Sequence, residues 1–337
     1  MTRLLRHSSS HKKSPKRNSR KKNSRNRHSR NSSRYRSAIT PSSFPREGGG
    51  NALFIIDPQY DFHEGTNTWL PDASQEGGTL AVPGSNESAQ NMATFINNNV
   101  DKISNIVVSL DTHSTMHIGN PAYWKNAESN AEPPDLTPIT FVQGVFKDEK
   151  NVEYTTRYPE DREWAEYYCK ELQKRNKTHM IWPYHCITGS KGAAIVKPIE
   201  DALRTWSKKH KRDVFYVLKG MNNKTEMYSA LKAEVIDPED PRTQINMPII
   251  NFLKTHNKVF VGGQAKTHCV YETVKDLVSY WNCGRDTLDS KIILLEDTTN
   301  NVPGFEDPVY PKSVEFQKHT FTLSDNMLAF FTSKGKP

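Results

Sequence analysis

The chain has 337 residues, enough for one large α/β domain or two smaller ones, and a net charge of +8. Residues 1–46 contain 15 Lys and Arg and no acidic residue, whereas the rest of the chain has 31 basic and 38 acidic residues, a net charge of −7. This mildly acidic remainder argues against a nucleic-acid-binding core domain, and no apolar run reaches the ~18 residues of a membrane-spanning helix.

The first 50 residues are rich in Ser, Arg, Lys and Asn and have few apolar side chains. Such a segment cannot bury enough surface to offset the entropy lost on ordering, so we predict a disordered tail over 1–50 and a single folded domain over 51–337. The tail suits a solubilising or localising role. Equally, residues 1–46 suit a role in nuclear import or in binding nucleic acid or another polyanion.

Cysteine usage indicates a reducing compartment. Four cysteines in a chain of this length are too few for a disulfide scaffold, and they form no CxxC pair: Cys169, Cys186, Cys269 and Cys283. We therefore expect free thiols and an intracellular location, with a nuclear or nucleic-acid-associated location as the alternative that the tail suggests. No apolar stretch follows the basic N-terminus, so a secretory signal peptide is not expected.

Short apolar runs alternate with amphipathic stretches along the rest of the chain. The runs, which are typical of strands buried on both faces, are Leu53–Ile56, Ile106–Leu110, Val214–Leu218, Val259–Val261 and Ile292–Leu295. Helical spacing of apolar residues between them predicts helices around Ala89, Tyr168, Leu203 and Val274. The pattern predicts an α/β fold with a doubly wound, mostly parallel sheet and helices on both faces.

Two long segments fall outside this alternation. Residues 119–150 are rich in Pro, Asn and Glu without periodicity, which predicts a long insertion or a lid loop. Residues 225–246 are predicted to form a surface loop or a subunit contact.

Reactive side chains follow the predicted strands. Asp57, Asp111, Lys219 and Cys269 come after successive apolar runs, and the carboxyl ends of parallel strands meet at one edge of a sheet. Cys269 also lies between a Gly-rich turn and a predicted helix, where the helix dipole and a nearby lysine should lower the thiol pKa. Most free cysteines are inert core residues, but this setting favours a nucleophile.

A second group of side chains could hold a metal ion. Asp111, His113 and His117 are close in sequence, and His185 lies in a later Trp-Pro-Tyr-His-Cys segment. Imidazoles with one carboxylate are typical of catalytic sites for zinc or a similar divalent ion. On spacing alone this motif is a weak signal and histidines that bond to loop backbone are the favoured interpretation, and His185 cannot be assigned to the group by its position.

Six short motifs occur in order: Ile55-Ile56-Asp57-Pro58-Gln59-Tyr60-Asp61-Phe62, Asp111-Thr112-His113 with His117, Trp182-Pro183-Tyr184-His185-Cys186, Lys219-Gly220, Tyr228-Ser229-Ala230 and Gly263-Gln264-Ala265-Lys266-Thr267-His268-Cys269-Val270. Together they resemble the isochorismatase-like cysteine hydrolases and, within them, the nicotinamidases. The resemblance covers most of residues 51–310 and implies the fold of that family.

The resemblance implies roles for individual residues. Asp57, Lys219 and Cys269 would form a catalytic triad. A divalent metal, with zinc as first choice and iron or manganese as alternatives, would be bound by Asp111, His113 and His185, with His117 beside the metal or among its ligands.

The resemblance also implies a substrate site. A cis peptide bond between Gln264 and Ala265 would direct the N–H groups of Ala265 and Cys269 at an oxyanion. Phe62 and Trp182 would flank a flat ring, and Gln264 belongs to the same substrate-binding set.

The implied function is that of a metal-dependent cysteine amidohydrolase that converts a small amide, with nicotinamide as first choice, to the acid and ammonia through a thioester on Cys269. Thr112 stands where nicotinamidases usually have an aromatic residue, so the cavity wall can differ. Alternatives are a hydrolase of another small amide or carbamoyl compound, and a nucleic-acid-associated protein acting through its tail. A homo-oligomer remains open, and no membrane partner is expected.

Overall fold

The computed structural model describes residues 49–65, 77–281, 291–320 and 323. The predicted tail, apart from its last two residues, lies outside the described residues, as does Cys283. Within the described ranges, no helix has both the length and the apolar character needed to cross a membrane.

Eleven strands and five helices make up the regular structure of the described residues. The strands are β1 (Asn51–Ile56), β2 (Ile103–Asp111), β3 (Trp124–Asn126), β4 (Thr137–Val142), β5 (Val145–Lys147), β6 (Glu153–Thr156), β7 (His179–Ile181), β8 (Phe215–Lys219), β9 (Lys258–Gly263), β10 (Ile292–Leu295) and β11 (Val314–Gln317). The helices are α1 (Ser85–Asn98), α2 (Arg162–Gln173), α3 (Lys197–His210), α4 (Met247–Lys254) and α5 (Tyr271–Trp281).

The central sheet has six strands in the order β11-β10-β9-β1-β2-β8, and each neighbouring pair is parallel. Alternate residues of β1 face opposite sides of this sheet. Ala52, Phe54 and Ile56 pack in the core layer that contains α4 and α5, whereas Leu53 and Ile55 pack in the layer that contains α1 and α3. The predicted parallel α/β fold with helices on both faces is thus confirmed.

The helices follow their apolar periodicity. On α1, the side chains of Ala89, Met92 and Phe95 are buried at helical spacing. Helix α4 was not predicted; it begins after Asn246, whose side chain accepts a hydrogen bond from the Ile249 N–H and so caps the first turn.

The insertion between β2 and α3 is not the loop that its composition predicts. It contains a second sheet of five short antiparallel strands in the order β3-β6-β5-β4-β7. Together with α2, this sheet encloses its own apolar cluster around Trp124, Phe146 and Tyr168, all nearly fully buried. Burial of these rings stabilises strands that are too short to give a periodic signal.

The segment over 225–246 is also more buried than a surface loop. Apart from a 3₁₀ turn at Pro241–Thr243 it has no regular structure, yet Ala230, Leu231 and Val235 are almost completely buried. The chain immediately after β8 therefore packs into the molecule and carries side chains toward the edge of the central sheet.

Candidate active site

The order of the central strands brings four reactive side chains together. Strands β9, β1, β2 and β8 are consecutive neighbours, so the residues at their carboxyl ends share one edge. Asp111 and Lys219 are direct register partners at the ends of β2 and β8. Asp57 follows β1, and Cys269 lies in the turn after β9.

Lys219 is the centre of this group. Its Nζ lies 3.0 Å from Asp57 Oδ2, 3.3 Å from Asp111 Oδ1 and 3.6 Å from Cys269 Sγ. It also donates a hydrogen bond to the Met227 carbonyl at 2.9 Å. Although burial opposes a charge here, Asp111 and Asp57 raise the pKa of Lys219 well above its usual value, so the side chain is an ammonium ion.

The carboxylate of Asp57 is held from β2. Its Oδ1 accepts a 2.6 Å hydrogen bond from Ser109 Oγ, and its main-chain N–H donates to the Ser109 carbonyl at 3.1 Å. Burial raises the pKa of Asp57, and the Lys219 ammonium opposes that rise. Ser109 was not identified from the sequence, although a hydroxyl within the apolar run of a buried strand is a usable signal.

Cys269 lies in a single turn of π-helix, Lys266–Val270, that leads into α5. The thiol is buried, and burial raises its pKa well above the usual value despite the opposing effect of Lys219. The expected lowering of this pKa by the helix dipole and the lysine is therefore wrong, because desolvation dominates. Asp57 Oδ2 and Cys269 Sγ both contact Lys219 Nζ, at 3.0 and 3.6 Å, so a carboxylate that can accept the thiol proton lies in the same group.

The turn before Cys269 carries an amide group suited to binding an oxyanion. The peptide bond between Gln264 and Ala265 is cis, and no described residue accepts a hydrogen bond from the Ala265 N–H. The Gln264 side chain donates to Asn300 Oδ1 at 3.2 Å and does not line the cavity at Cys269. The structure thus brings Ala265 to Cys269 but directs the Gln264 side chain elsewhere.

Three of the predicted metal ligands converge. Asp111 Oδ1 lies 3.1 Å from His113 Nε2, and Asp111 Oδ2 lies 3.6 Å from His185 Nε2. His185 donates from Nδ1 to the Pro183 carbonyl at 2.7 Å, which leaves the Nε2 lone pair directed at the group. These buried atoms lie within 4.8 Å of one another, so the residues fit a divalent metal ion.

His117 stands beside this group, and with His113 and Glu226 it forms a second set of buried side chains whose potential ligand atoms lie within 4.8 Å of one another. Its ring stacks on His113 with a centroid distance of 4.2 Å. The Gly119 N–H donates to Nδ1 at 3.1 Å, and Nε2 donates to the Thr225 carbonyl at 3.1 Å, so both ring nitrogens are engaged by main chain. Burial lowers the pKa of His117 to about 3, which keeps the ring neutral.

Glu226 is a member of the site that the sequence analysis did not identify. It is buried, and its Oε1 lies 3.6 Å from His113 Nε2. Its Oε2 has no hydrogen-bond partner among the described residues, and a buried carboxylate oxygen without a partner is costly. Glu226 follows Lys219 in a segment without regular structure, where no periodicity points to it.

Gln59 positions Asp111 through main-chain hydrogen bonds. Gln59 Nε2 donates to the Asp111 carbonyl at 2.7 Å, and Gln59 Oε1 accepts from the Asp111 N–H at 2.7 Å. Both contacts are fully buried. The Gln59 side chain, which follows the end of β1, therefore fixes the main chain at the end of β2.

We expect Gln59→Leu to weaken metal binding without touching a ligand. An unpaired buried main-chain group costs about 1–3 kcal/mol, so the free energy of unfolding should fall by at least that amount. Loss of a residue that hydrogen-bonds to a metal ligand lowers metal affinity by about 10–100-fold, which zinc titration would measure. Gln173→Leu, which removes an amide that bonds to the β4 main chain, is the matched control. Equal zinc affinity of the Gln59→Leu variant and the unaltered protein would contradict this role.

A small cavity of about 30 Å³ opens onto these residues. Its walls include Phe62, Trp182, His185, Ala265 and Cys269. The Phe62 ring meets His185 edge-on at 5.5 Å. The two aromatic residues that the motifs associate with a flat ring therefore both face the candidate nucleophile.

No protein-family model and no curated protein matches the chain. Among solved structures, the chain is similar to the yeast nicotinamidase, with 20% identity over 75% of this chain and 89% of that chain and a TM-score of 0.46. It is also similar to a nicotinamidase pyrazinamidase of Acinetobacter baumanii (18% identity, 82% and 99% coverage, TM-score 0.48) and to a pyrazinamidase of Pyrococcus horikoshii in complex with zinc (16%, 80% and 99%, 0.40).

Proposed function

We propose that the chain is an isochorismatase-like cysteine hydrolase that cleaves the C–N bond of a small carboxamide, with nicotinamide as the first candidate substrate. The observation that carries the proposal is the position of the Lys219 ammonium, in contact with both Asp57 and the Cys269 thiol. A buried nucleophile, a carboxylate base and a cation that stabilises the thiolate are the parts that cysteine-based acyl transfer requires.

The reaction begins with transfer of the Cys269 thiol proton to Asp57. The sulfur bonds to the amide carbon, and the resulting oxyanion accepts hydrogen bonds from the N–H groups of Ala265 and Cys269. Asp57 then gives its proton to the departing nitrogen, the C–N bond breaks and ammonia leaves. Water attacks the thioester while Asp57 takes a proton from it, the C–S bond breaks, and the acid is released as the thiol is reprotonated.

Asp111, His113 and His185 would hold a divalent metal, and we propose zinc because one carboxylate and two imidazoles with open positions suit that ion. A bound metal would supply a Lewis acid facing the cavity. Glu226, whose Oε2 lacks a described partner, would balance its charge. Iron and manganese accept the same ligands.

Removal of the metal is expected to lower both activity and stability. Ligand binding at about 100 times its Kd stabilises a protein by about 2.7 kcal/mol, so dialysis against a chelator should lower the unfolding midpoint measurably. Added zinc should restore both the midpoint and turnover. A metal-free protein with full turnover, its metal content verified by elemental analysis, would contradict the proposed ligand set.

The test of the function is ammonia release from nicotinamide by the purified protein of known metal content. We expect release that depends on Cys269. Release from other small amides, such as pyrazinamide or a carbamoyl compound, with none from nicotinamide would keep the reaction and change the substrate. No release from any of these amides by the folded, metal-loaded protein would overturn the proposal.

We also propose that residues 1–46 bind polyanions, because they carry 15 Lys and Arg and no acidic side chain. Deleting them should remove salt-sensitive binding to a DNA or heparin probe and leave amide hydrolysis intact. Binding that survives the deletion would assign it to the folded domain.

A further inference from the structure

A second, larger cavity, lined among others by Thr178, Tyr271 and Phe305, adjoins the one at Cys269, and we call it the outer cavity. It measures about 400 Å³, within the range of about 300–1,000 Å³ that is typical of ligand sites. The cavity at Cys269 measures about 30 Å³, less than a tenth of that volume. Of the two cavities, the outer one therefore offers the room that the body of a substrate needs.

Three side chains line both cavities: Trp182, Tyr228 and His268. The His268 ring centroid lies 5.4 Å from that of Trp182 and 5.5 Å from that of Tyr228. Trp182 Nε1 donates to the Tyr228 hydroxyl at 3.0 Å, which holds these two rings together. A single layer of rings thus separates the sulfur of Cys269 from the outer cavity.

The outer cavity has aromatic walls. Phe305 meets the His268 ring edge-on at 4.5 Å and is partly exposed at the mouth, and Tyr168 and Tyr271 line the interior. Burial lowers the pKa of His268 to about 4, so its imidazole is neutral at neutral pH. Such walls favour a flat, apolar group, which can stack on ring faces and edges.

The charged side chains at the outer cavity already neutralise one another. Lys177 Nζ contacts Glu234 Oε2 at 2.8 Å and Glu272 Oε1 at 2.7 Å. Glu272 is also paired with Lys275 at 3.2 Å. Two ammonium groups thus face two carboxylates, and a charged ligand group would find no unpaired counter-charge in this cluster.

We infer that the outer cavity is a substrate subsite for an uncharged aromatic group, and that the chain acts on aryl carboxamides larger than nicotinamide. The inference rests on the proposed function, since it assigns the carboxamide to Cys269. The layer formed by Trp182, Tyr228 and His268 then has to open beside the substrate, whose non-reacting part is buried among the outer rings.

The test compares kcat/KM for nicotinamide with that for its 4-, 5- and 6-phenyl derivatives, which place the added ring in different directions. We expect at least one derivative to exceed nicotinamide by about tenfold or more, because a buried phenyl ring removes apolar surface from water. Thr178→Trp places an indole at the outer cavity from an exposed position and should reduce that preference at least tenfold. Ser279→Trp adds the same ring at an exposed position of α5 outside the cavity and should keep the preference within twofold.

Phe305→Ala is a second variant, because it removes an aromatic wall of the outer cavity instead of filling the cavity; it should lower the preference severalfold. If nicotinamide is hydrolysed and no phenyl derivative exceeds it, the inference is overturned. The same holds if Thr178→Trp reduces turnover of nicotinamide and of the derivative equally.

Failure of the proposed function would look different, since no amide would then be hydrolysed. In that case calorimetry on the Cys269→Ala variant decides the question. Tenfold tighter binding of a phenyl derivative than of nicotinamide, lost on adding Thr178→Trp, would support the subsite. Equal binding of all four compounds would overturn it.

Discussion

Replacing Cys269 with alanine is expected to abolish amide hydrolysis while leaving the protein folded. Loss of a nucleophile that acts together with its base and cation lowers kcat by about 10⁴-fold or more, because no other group forms the covalent intermediate. The stability change should be small, about 1 kcal/mol, since only one buried sulfur atom is removed. Turnover, metal content and the urea unfolding midpoint would be measured on the same preparation.

Cys169→Ala is the matched control for this prediction. Cys169 is also a buried thiol, and burial raises its pKa to about 12, but it packs in the insertion on α2. The control should lose a similar amount of stability and keep its turnover. Retained hydrolysis in the Cys269→Ala variant, or an equal loss of turnover in both variants, would contradict a mechanism that uses the Cys269 sulfur.

The strand ends explain how much of this site could be predicted. Buried parallel strands give continuous apolar runs, and the residue that follows each run must lie at the carboxyl edge of the sheet. That rule placed Asp57, Asp111, Lys219 and Cys269 together without any distance information, and the structure brings all four into one group.

Other parts of the site depend on contacts that spacing does not encode. His117 matches a metal motif, yet two main-chain groups occupy its ring nitrogens, a condition set by the path of the segment around Thr225. Glu226 comes from that same irregular segment. The raised pKa of Cys269 could not be predicted either, because its sign depends on burial, whereas the sequence shows only the neighbouring charges.

The second sheet was missed for a different reason. Its strands β3, β5 and β7 have three residues each, too few to establish an alternating pattern. Their stability comes from rings such as Trp124 and Phe146, which pack at 5.0 Å only after distant parts of the insertion meet.

Lys219→Met should have the largest effect on stability of any single substitution at this site. Methionine has a similar length, but it leaves two buried carboxylates, Asp57 and Asp111, without the ammonium that contacts both. Removing one partner of a buried ion pair costs about 3–5 kcal/mol, and we expect a loss of that order in the free energy of unfolding. Turnover should also fall by about 10²-fold or more, since nothing then stabilises the thiolate.

The stability of the Lys219→Met variant should depend on pH, and the direction of that dependence can be predicted. Lys219 lowers the pKa of Asp57, so in the variant that pKa rises further above the unfolded value of about 3.9. Between these two pKa values the folded state binds a proton that the unfolded state does not, so the stability of the variant must fall as pH rises through that window. Urea unfolding from pH 4 upward would measure it. Lys209→Met, which removes an exposed ammonium paired with exposed Asp101, should change stability little, without this pH dependence, because solvent screens an exposed pair. A Lys219→Met variant as stable as the Lys209→Met control at neutral pH would mean that the buried carboxylates do not depend on Lys219 for their charge.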